Sequence, residues 1–412
     1  MKAELISIGD ELLIGQVVNT NASWIAQQLN LAGIEVNRII AIADSENEIF
    51  HALDNVSETS EIAIITGGLG PTSDDITKAV ICKYFDTKLI LDQKALINIE
   101  KRFGDRGYTL TEINRKQAEI PESCTPIYNV HGTASGMIFE KDGRTFYFLP
   151  GVPYEMKQMI GEEIIPKLVK KNPLISVVHK TVLTQGVGES FLSDKIISWE
   201  SNLPEEVKIA YLPSPGLVRI RLTAIGEKKE TLKSKLNTCI FELNKIIPKY
   251  IYGYDSETLE EIIGNLLRDK NATLSTAESC TGGFIAHKIT SVPGSSSYFK
   301  GSLVAYSNEI KQKFLEVSTK SLNDFGAVSE TVVKEMAEGV LKKFKTDYSI
   351  AVSGIAGPDG GTVEKPVGTI WIAVASKESV ITKKFLFGDH RERNIIKTEL
   401  TALNMLRNFL LL

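Results

Sequence analysis

Hydrophobic and polar positions follow two rhythms along this chain. The largely apolar runs at 3–8, at 36–42 and at Ile62-Ala63-Ile64-Ile65 read as buried strands. Between and after them, Trp24, Ile25, Gln28 and Leu29, then Ile49, Phe50, Leu53 and Val56, recur at helical spacing. Strand, helix, strand, helix in that order predicts a parallel sheet with helices on both faces. Residues 174–252 change pattern, with strands at 177–183, 207–211 and 218–223 and a helix at 191–197, which predicts a small α+β module. A second α/β region begins with Leu259, Ile262, Ile263, Leu266 and Leu267 on one helical face, opened by Thr258 and Glu261 as a capping box. It continues as strand 272–276, glycine turn, helix 284–290, strand 302–306, helix 329–344, strand 348–352, glycine loop, strand 368–375 and helix 393–409. The expected class is therefore α/β: two α/β domains with mainly parallel sheets, at 1–170 and 253–412, joined by a small α+β domain at 171–252. The basic, proline-containing stretch 167–173 reads as the linker.

Composition adds exclusions. A length of 412 residues exceeds what one core supports. With 24% charged residues and a net charge of −4, the chain has no general pull on nucleic acid or anionic membrane, so any anion site must be local. Arg219, Arg221, Lys228 and Lys229 alternate with apolar residues or follow them, and read as a half-exposed face more readily than as an RNA surface. Cys82, Cys124, Cys239 and Cys280 form no CxxC or Cys/His spacing, which fits a reducing compartment. No apolar run approaches the roughly 20 residues of a membrane helix and no signal h-region opens the chain, so a cytoplasmic protein is expected.

Two strand ends carry candidate chemistry. Strand 272–276 delivers the chain to Ala277-Glu278-Ser279-Cys280-Thr281-Gly282-Gly283, where a following helix offers N–H groups to a phosphate or to the oxyanion of an attacked carbonyl. A serine needs a base, and His287, inside an ordinary helix pattern, reads as structural. Tyr306 and Lys311, at the end of another strand, are the better partners, because a buried lysine loses its proton near neutrality. Cys280 is the rival nucleophile. The loop Ser353-Gly354-Ile355-Ala356-Gly357 and the cations Arg391 and Arg393 follow at further strand ends, and either arginine suits a phosphate. Taken singly, each glycine loop reads equally well as a tight turn.

The other strand end is Thr66-Gly67-Gly68-Leu69-Gly70-Pro71-Thr72-Ser73-Asp74-Asp75. Glycines at a strand-to-helix turn expose N–H groups to phosphate. Asp74 and Asp75, with Asp10 and Glu11 from the first strand end, suit a divalent cation bridging phosphate oxygens. The plainer reading makes Ser73 or Asp74 a helix cap.

The segments AESCTGG, VPGSSSYFKGSLVAYSNEIK, FGAVS, SGIAGPDGG and KPVGT resemble the C-terminal domain of the CinA (competence/damage-inducible protein A) family over about 256–412. Members hydrolyse the amide of nicotinamide mononucleotide to nicotinate mononucleotide and ammonia. The resemblance implies Ser279 as nucleophile assisted by Tyr306 and Lys311. It also implies a nucleotide held by Cys280, Thr281, Gly282, Gly283, Ser353, Gly354, Ala356, Gly357 and an arginine, with no metal. SIGDELLIGQVVNTNASWIAQQL, TGGLGPTSDDITKA and LPGVPYEM resemble the family's N-terminal domain over about 1–170, whose fold is shared with molybdopterin-binding proteins. That implies hydrolysis of ADP-ribose to AMP and ribose 5-phosphate, with Gly67, Gly68, Gly70 and Thr72 on the substrate. A divalent ion (Mg, Mn or Co) would sit on Asp10, Glu11, Asp74 and Asp75. Relatives use the same motif for molybdopterin binding and adenylyl transfer, and the family implies a homodimer.

Two departures stand out. His390-Arg391-Glu392-Arg393-Asn394 puts an asparagine where the family pattern has its second arginine, and Ser135 replaces a proline in Gly132-Thr133-Ala134-Ser135-Gly136, which removes a restraint from that loop. The competing class is a regulatory or scaffold protein for DNA uptake and recombination, which would not need Ser279, Tyr306 and Lys311.

Overall fold

The computed structural model describes residues 1–72, 75–105, 107–171 and 176–412. They divide into two compact units, Met1–Val178 with Ala224–Ser234, and His179–Thr223 with Lys235–Leu412. The stretch expected as a middle domain contributes to both.

The first unit is built on a six-stranded sheet in the order Glu35–Ile42, Lys2–Ile8, Ile62–Thr66, Arg144–Leu149, Gly136–Lys141, Thr125–Ile127. The first four strands are parallel and the last two antiparallel. Neighbouring residues on the central strands serve opposite faces. Ile6, Ile65, Phe146 and Phe148 join one core with Ile49 and Leu53, whereas Leu5, Ile64 and Tyr147 join another with Ile25 and Leu29. Burial on both faces is why these strands read as continuous apolar runs. Each such side chain contributes about 1.5–3 kcal/mol. The antiparallel hairpin turns at Asp142 and Gly143, with φ of 52° and 75°, as a two-residue turn matching strand twist requires. The expected linker is helical at its start: Ile165–Lys171 continues the preceding helix, and Lys167 pairs with Glu163 one turn back at 2.9 Å. Asn172 and Pro173 lie outside the described residues.

The second unit holds a five-stranded sheet in the order Phe299–Val304, Leu274–Glu278, Tyr348–Gly354, Thr369–Ser376, Val380–Leu386. The first three strands are parallel, the last two antiparallel. The final strand is absent from the sequence pattern, which ran from strand 368–375 straight to a helix. The Ser376 hydroxyl accepts the N–H groups of Glu378 and Ser379 at 3.2 Å each, so the chain reverses within a few residues and can only pair antiparallel. The capping box forms as expected, with Thr258 and Glu261 satisfying each other's backbone N–H at the start of Leu259–Asp269.

A separate four-stranded sheet has the order Val207–Ser214, Leu217–Gly226, Ser176–Gln185, Ile251–Tyr254, the split βαβ arrangement, with helices Glu189–Glu200 and Lys229–Ile246. Among the described residues no helix is long and apolar enough to cross a membrane.

Candidate active sites

Ser279 follows the strand Leu274–Glu278, which is flanked on both sides by parallel neighbours in register: Glu278 lies opposite Val304 on one and Val352 on the other. Three chain ends therefore leave the sheet at one edge, where open α/β sheets bind ligands. The Ser279 N–H donates to Val352 O at 3.1 Å, which ties the backbone of Ser279 to the central strand. Lys311, on helix Asn308–Leu315, points back into the edge and is 1% exposed. Its Nζ lies 3.1 Å from Ser279 Oγ, 2.7 Å from Ala305 O and 3.2 Å from Tyr306 O. Burial pushes its pKa below the ordinary 10.5, against a weaker upward pull from Cys280. A neutral amine has two N–H groups and one lone pair. In that form the two carbonyls match the N–H groups and the Ser279 hydroxyl the lone pair; in the protonated form all three oxygens accept from Nζ.

The hydroxyl opens into a cavity of about 290 Å³ whose walls include Cys280, Tyr306, Ser353, Gly354, Ala356 and Gly357. Arg391 also lines it, at the start of helix Arg391–Leu410, its guanidinium held by Gly357 O at 2.9 Å. Arg393 does not line it. Two residues further on, its side chain is turned about 200° round the helix, and its N–H instead meets His390 Nδ1 at 3.4 Å. His287 stays away from the cavity, beside Phe284. What reaches Lys311 from Tyr306 is the carbonyl, while the phenol is 63% exposed at the cavity wall. The Cys280 thiol is buried and pushed up to about 12 chiefly by desolvation, so it carries no thiolate near neutrality. Ser353 donates its hydroxyl to Ala327 O at 2.7 Å, fixing the facing loop.

The expected supply of free helix N–H groups is corrected by Glu278. This carboxylate, fully buried, accepts the N–H groups of Gly283 (3.1 Å), Ile285 (3.0 Å) and Ala286 (2.8 Å) and the Thr281 hydroxyl (2.7 Å). Thr281, Gly282 and Gly283 thus build the turn rather than line the cavity; Gly282 and Gly283 supply its left-handed φ of 61° and 100°. Sequence reasoning passed over Glu278, as it did Asn308 and Asp359, which line the cavity. The asparagine at the second-arginine position is structural: Asn394 Nδ2 donates to Ala356 O (3.0 Å) and Gly388 O (2.9 Å), joining two loops at the site.

The first unit has a cavity of about 460 Å³ at the corresponding edge of its own sheet, lined by Gly67, Gly68, Gly70, Glu11 and Asp75 among others. Gly67 has φ 110°, and a Cβ there would lie 2.1 Å from Ile8 O, so only glycine fits. Asp75 Oδ2 accepts the Thr72 N–H (3.0 Å) and hydroxyl (2.5 Å), closing the turn. Asp10, in the short helix Asp10–Leu13, takes Asp44 N–H at 3.4 Å instead of facing the cavity. Asp74 lies outside the described residues, as does Ser73. Beside the turn, Lys78 donates to Gln117 O and Glu119 O, and burial lowers its pKa to about 8 despite Glu119 and Asp75. The loop that lacks its proline is pinned by Asn129, which accepts Gly132 N–H at 2.7 Å and donates to Ala134 O at 3.0 Å.

Among the described residues no three His, Cys, Asp or Glu side chains gather as a metal cluster. Glu11, Asp44, Asp75 and Glu155 nevertheless face the cavity as hard oxygen donors. That suits a Mg-like ion, which needs only one or two carboxylates when phosphates supply the rest.

Residues 256–410 match the CinA C-terminal domain, 4–170 a probable molybdopterin binding domain, and 179–253 the damage-inducible protein CinA KH domain. A CinA-like protein of Flavobacterium psychrophilum is 47% identical over 408 residues, covering 98% of both chains. The chain belongs to the CinA family. A putative competence-damage inducible protein of Caldicellulosiruptor saccharolyticus shares 42% identity, covering 99% of this CinA chain and 98% of its own. Among solved structures, a competence/damage inducible protein from Agrobacterium tumefaciens is 39% identical over 36% of this chain and 94% of its own, with TM-score 0.35.

Proposed function

We propose that the C-terminal site is a metal-independent serine amidohydrolase acting on nicotinamide mononucleotide. The observation that carries this reading is the buried Lys311 amine 3.1 Å from Ser279 Oγ with two carbonyls on its N–H groups. Neutral Lys311 takes the Ser279 proton as Oγ attacks the carboxamide carbon. The oxyanion falls to the backbone N–H of Cys280 and those of the facing 356–357 loop, since Glu278 occupies N–H groups of the helix. The tetrahedral species collapses, the C–N bond breaks, and Lys311 returns the proton to the leaving ammonia. Water, deprotonated by the same amine, then hydrolyses the ester to nicotinate mononucleotide and frees Ser279. Arg391 binds the phosphate and Tyr306 flanks the pyridine ring.

For the N-terminal cavity, the resemblance and the glycine turn support ADP-ribose hydrolysis to AMP and ribose 5-phosphate. Asp75 and Glu11 are the residues to hold a divalent ion, which would neutralise charge on the diphosphate. On this reading the two activities serve the recycling of pyridine nucleotides.

Ammonia release from nicotinamide mononucleotide in EDTA tests the first activity. Wild type and Cys280→Ala turn over, and Ser279→Ala loses about 10⁴-fold or more in kcat. Absence of ammonia from wild type removes the amidase and leaves the competence scaffold; loss in Cys280→Ala alone transfers the nucleophile to the thiol. AMP release from ADP-ribose with Mg, Mn or Co tests the second.

A further inference from the structure

The second unit contains another cavity, about 650 Å³ in volume, that belongs to neither site. Its walls come from the turn after Ser176–Gln185, the hairpin at Pro213–Leu217, the chain at Lys249–Tyr250, the strand Val380–Leu386 with Phe387 after it, and the helix Arg391–Leu410. Phe385 and Phe387, two apart and so on one side of the chain, stack with centroids 5.4 Å apart at 22° and present a flat apolar wall. Two lysines stand over aromatic rings of the lining. Lys383 Nζ stands 5.3 Å from the Phe385 centroid, and Lys249 Nζ stands 4.8 Å from that of Tyr250. Lys397 adds a third cation, anchored on Phe387 O at 3.2 Å, against Glu189 as the one acidic side chain of the lining.

The floor is polar and buried. Asn404 Nδ2 donates to Gln185 Oε1 at 2.6 Å, and Gln185 Nε2 donates to Thr401 Oγ1 at 3.2 Å. A hydroxyl that accepts one bond keeps its own proton to give. At the rim, Gly186 has open space where a Cβ would be.

We propose that this cavity is a binding site for a planar heteroaromatic ligand bearing a phosphate, of mononucleotide size. The ring rests on the Phe385–Phe387 wall and the phosphate sits among Lys249, Lys383 and Lys397. Flat apolar walls select the ring, the excess of cations selects the anion, and the volume falls within the 300–1,000 Å³ range of small-molecule sites. The site is independent of the proposed amidase and pyrophosphatase chemistry.

Calorimetric titration of the full-length protein with AMP tests this, with hydrogen exchange to locate the ligand and adenosine and inorganic phosphate as partial probes. The expected result is saturable AMP binding, weaker for either partial probe, that protects 186–188, 213–217 and 383–387. Lys249→Glu combined with Lys383→Glu weakens it at least tenfold, and Arg391→Ala leaves that protection unchanged. Lys383→Ala, a truncation at an exposed strand position, weakens binding in the same direction if the double variant folds poorly. The proposal is overturned if AMP does not bind, or if the protection falls only at 66–72 or 279–283 and neither lysine variant alters it.

Discussion

Lys311 faces three partners, none of them a carboxylate, and its position inside the sheet edge buries it away from solvent. Its folded pKa is therefore depressed below the 10.5 of a free lysine. The neutral, proton-accepting form grows as pH rises through that depressed value. On the amidase reading, kcat/KM climbs with pH and levels off below the range of an ordinary lysine. Lys311→Arg, which cannot lose its proton, abolishes the limb and about 10³-fold of the rate. An unchanged profile in Lys311→Arg would remove the lysine from the chemistry. Ser279 and Lys311 were legible because each follows a recognisable strand. Glu278 was not legible, since a carboxylate beside Ser279 leaves no periodic signal and its donors come from its own strand, a neighbouring strand and the following turn, which only folding brings together. Tyr306 shows the same limit, because spacing brings the residue to the edge without saying whether carbonyl or phenol reaches inward.

Glu278 also decides how the helix Phe284–Thr290 begins. Three backbone N–H groups at its first turn end on one carboxylate, so Glu278→Ala leaves one buried and two partly buried donors without that acceptor and costs about 2–3 kcal/mol. Urea unfolding measures this, and a midpoint equal to wild type would contradict it. A second buried carboxylate lies where the helices Leu259–Asp269 and Arg391–Leu410 pack. Glu399, 1% exposed and with Oε1 unpartnered, is raised to about 8 by desolvation and then by Glu260, with Lys288 pulling down and Glu278 pushing up. The unfolded chain releases this proton near 4.5, so stability is full below that value and declines as pH rises toward 8. Glu399→Gln removes the decline. Its melting temperature should gain on wild type between pH 5 and 8, and parallel curves would refute the assignment. Helices and parallel strands were legible at this scale because two-faced burial writes long apolar runs. Val380–Leu386 was missed because none of its residues is fully buried and Lys383 and Lys384 break any apolar run.

At the scale of the whole chain, the three matched segments follow one another in sequence, whereas the compact units do not. The backbone passes from one unit to the other after Val178, after Thr223 and after Ser234. No sequence pattern announced this, because the strand Leu217–Gly226 runs unbroken through the second passage. A single scission after Val178 therefore does not sort the chain into its parts, since the segment Ala224–Ser234 that completes the first unit travels with the other piece. Fragments 1–178 and 179–412, made separately and mixed, should reassociate and co-elute in gel filtration; separate elution would show that the short segment is dispensable. The first unit is complete along the chain only at Ser234, after the second unit has begun, so a truncation that keeps residues 1–178 alone lacks part of its own body.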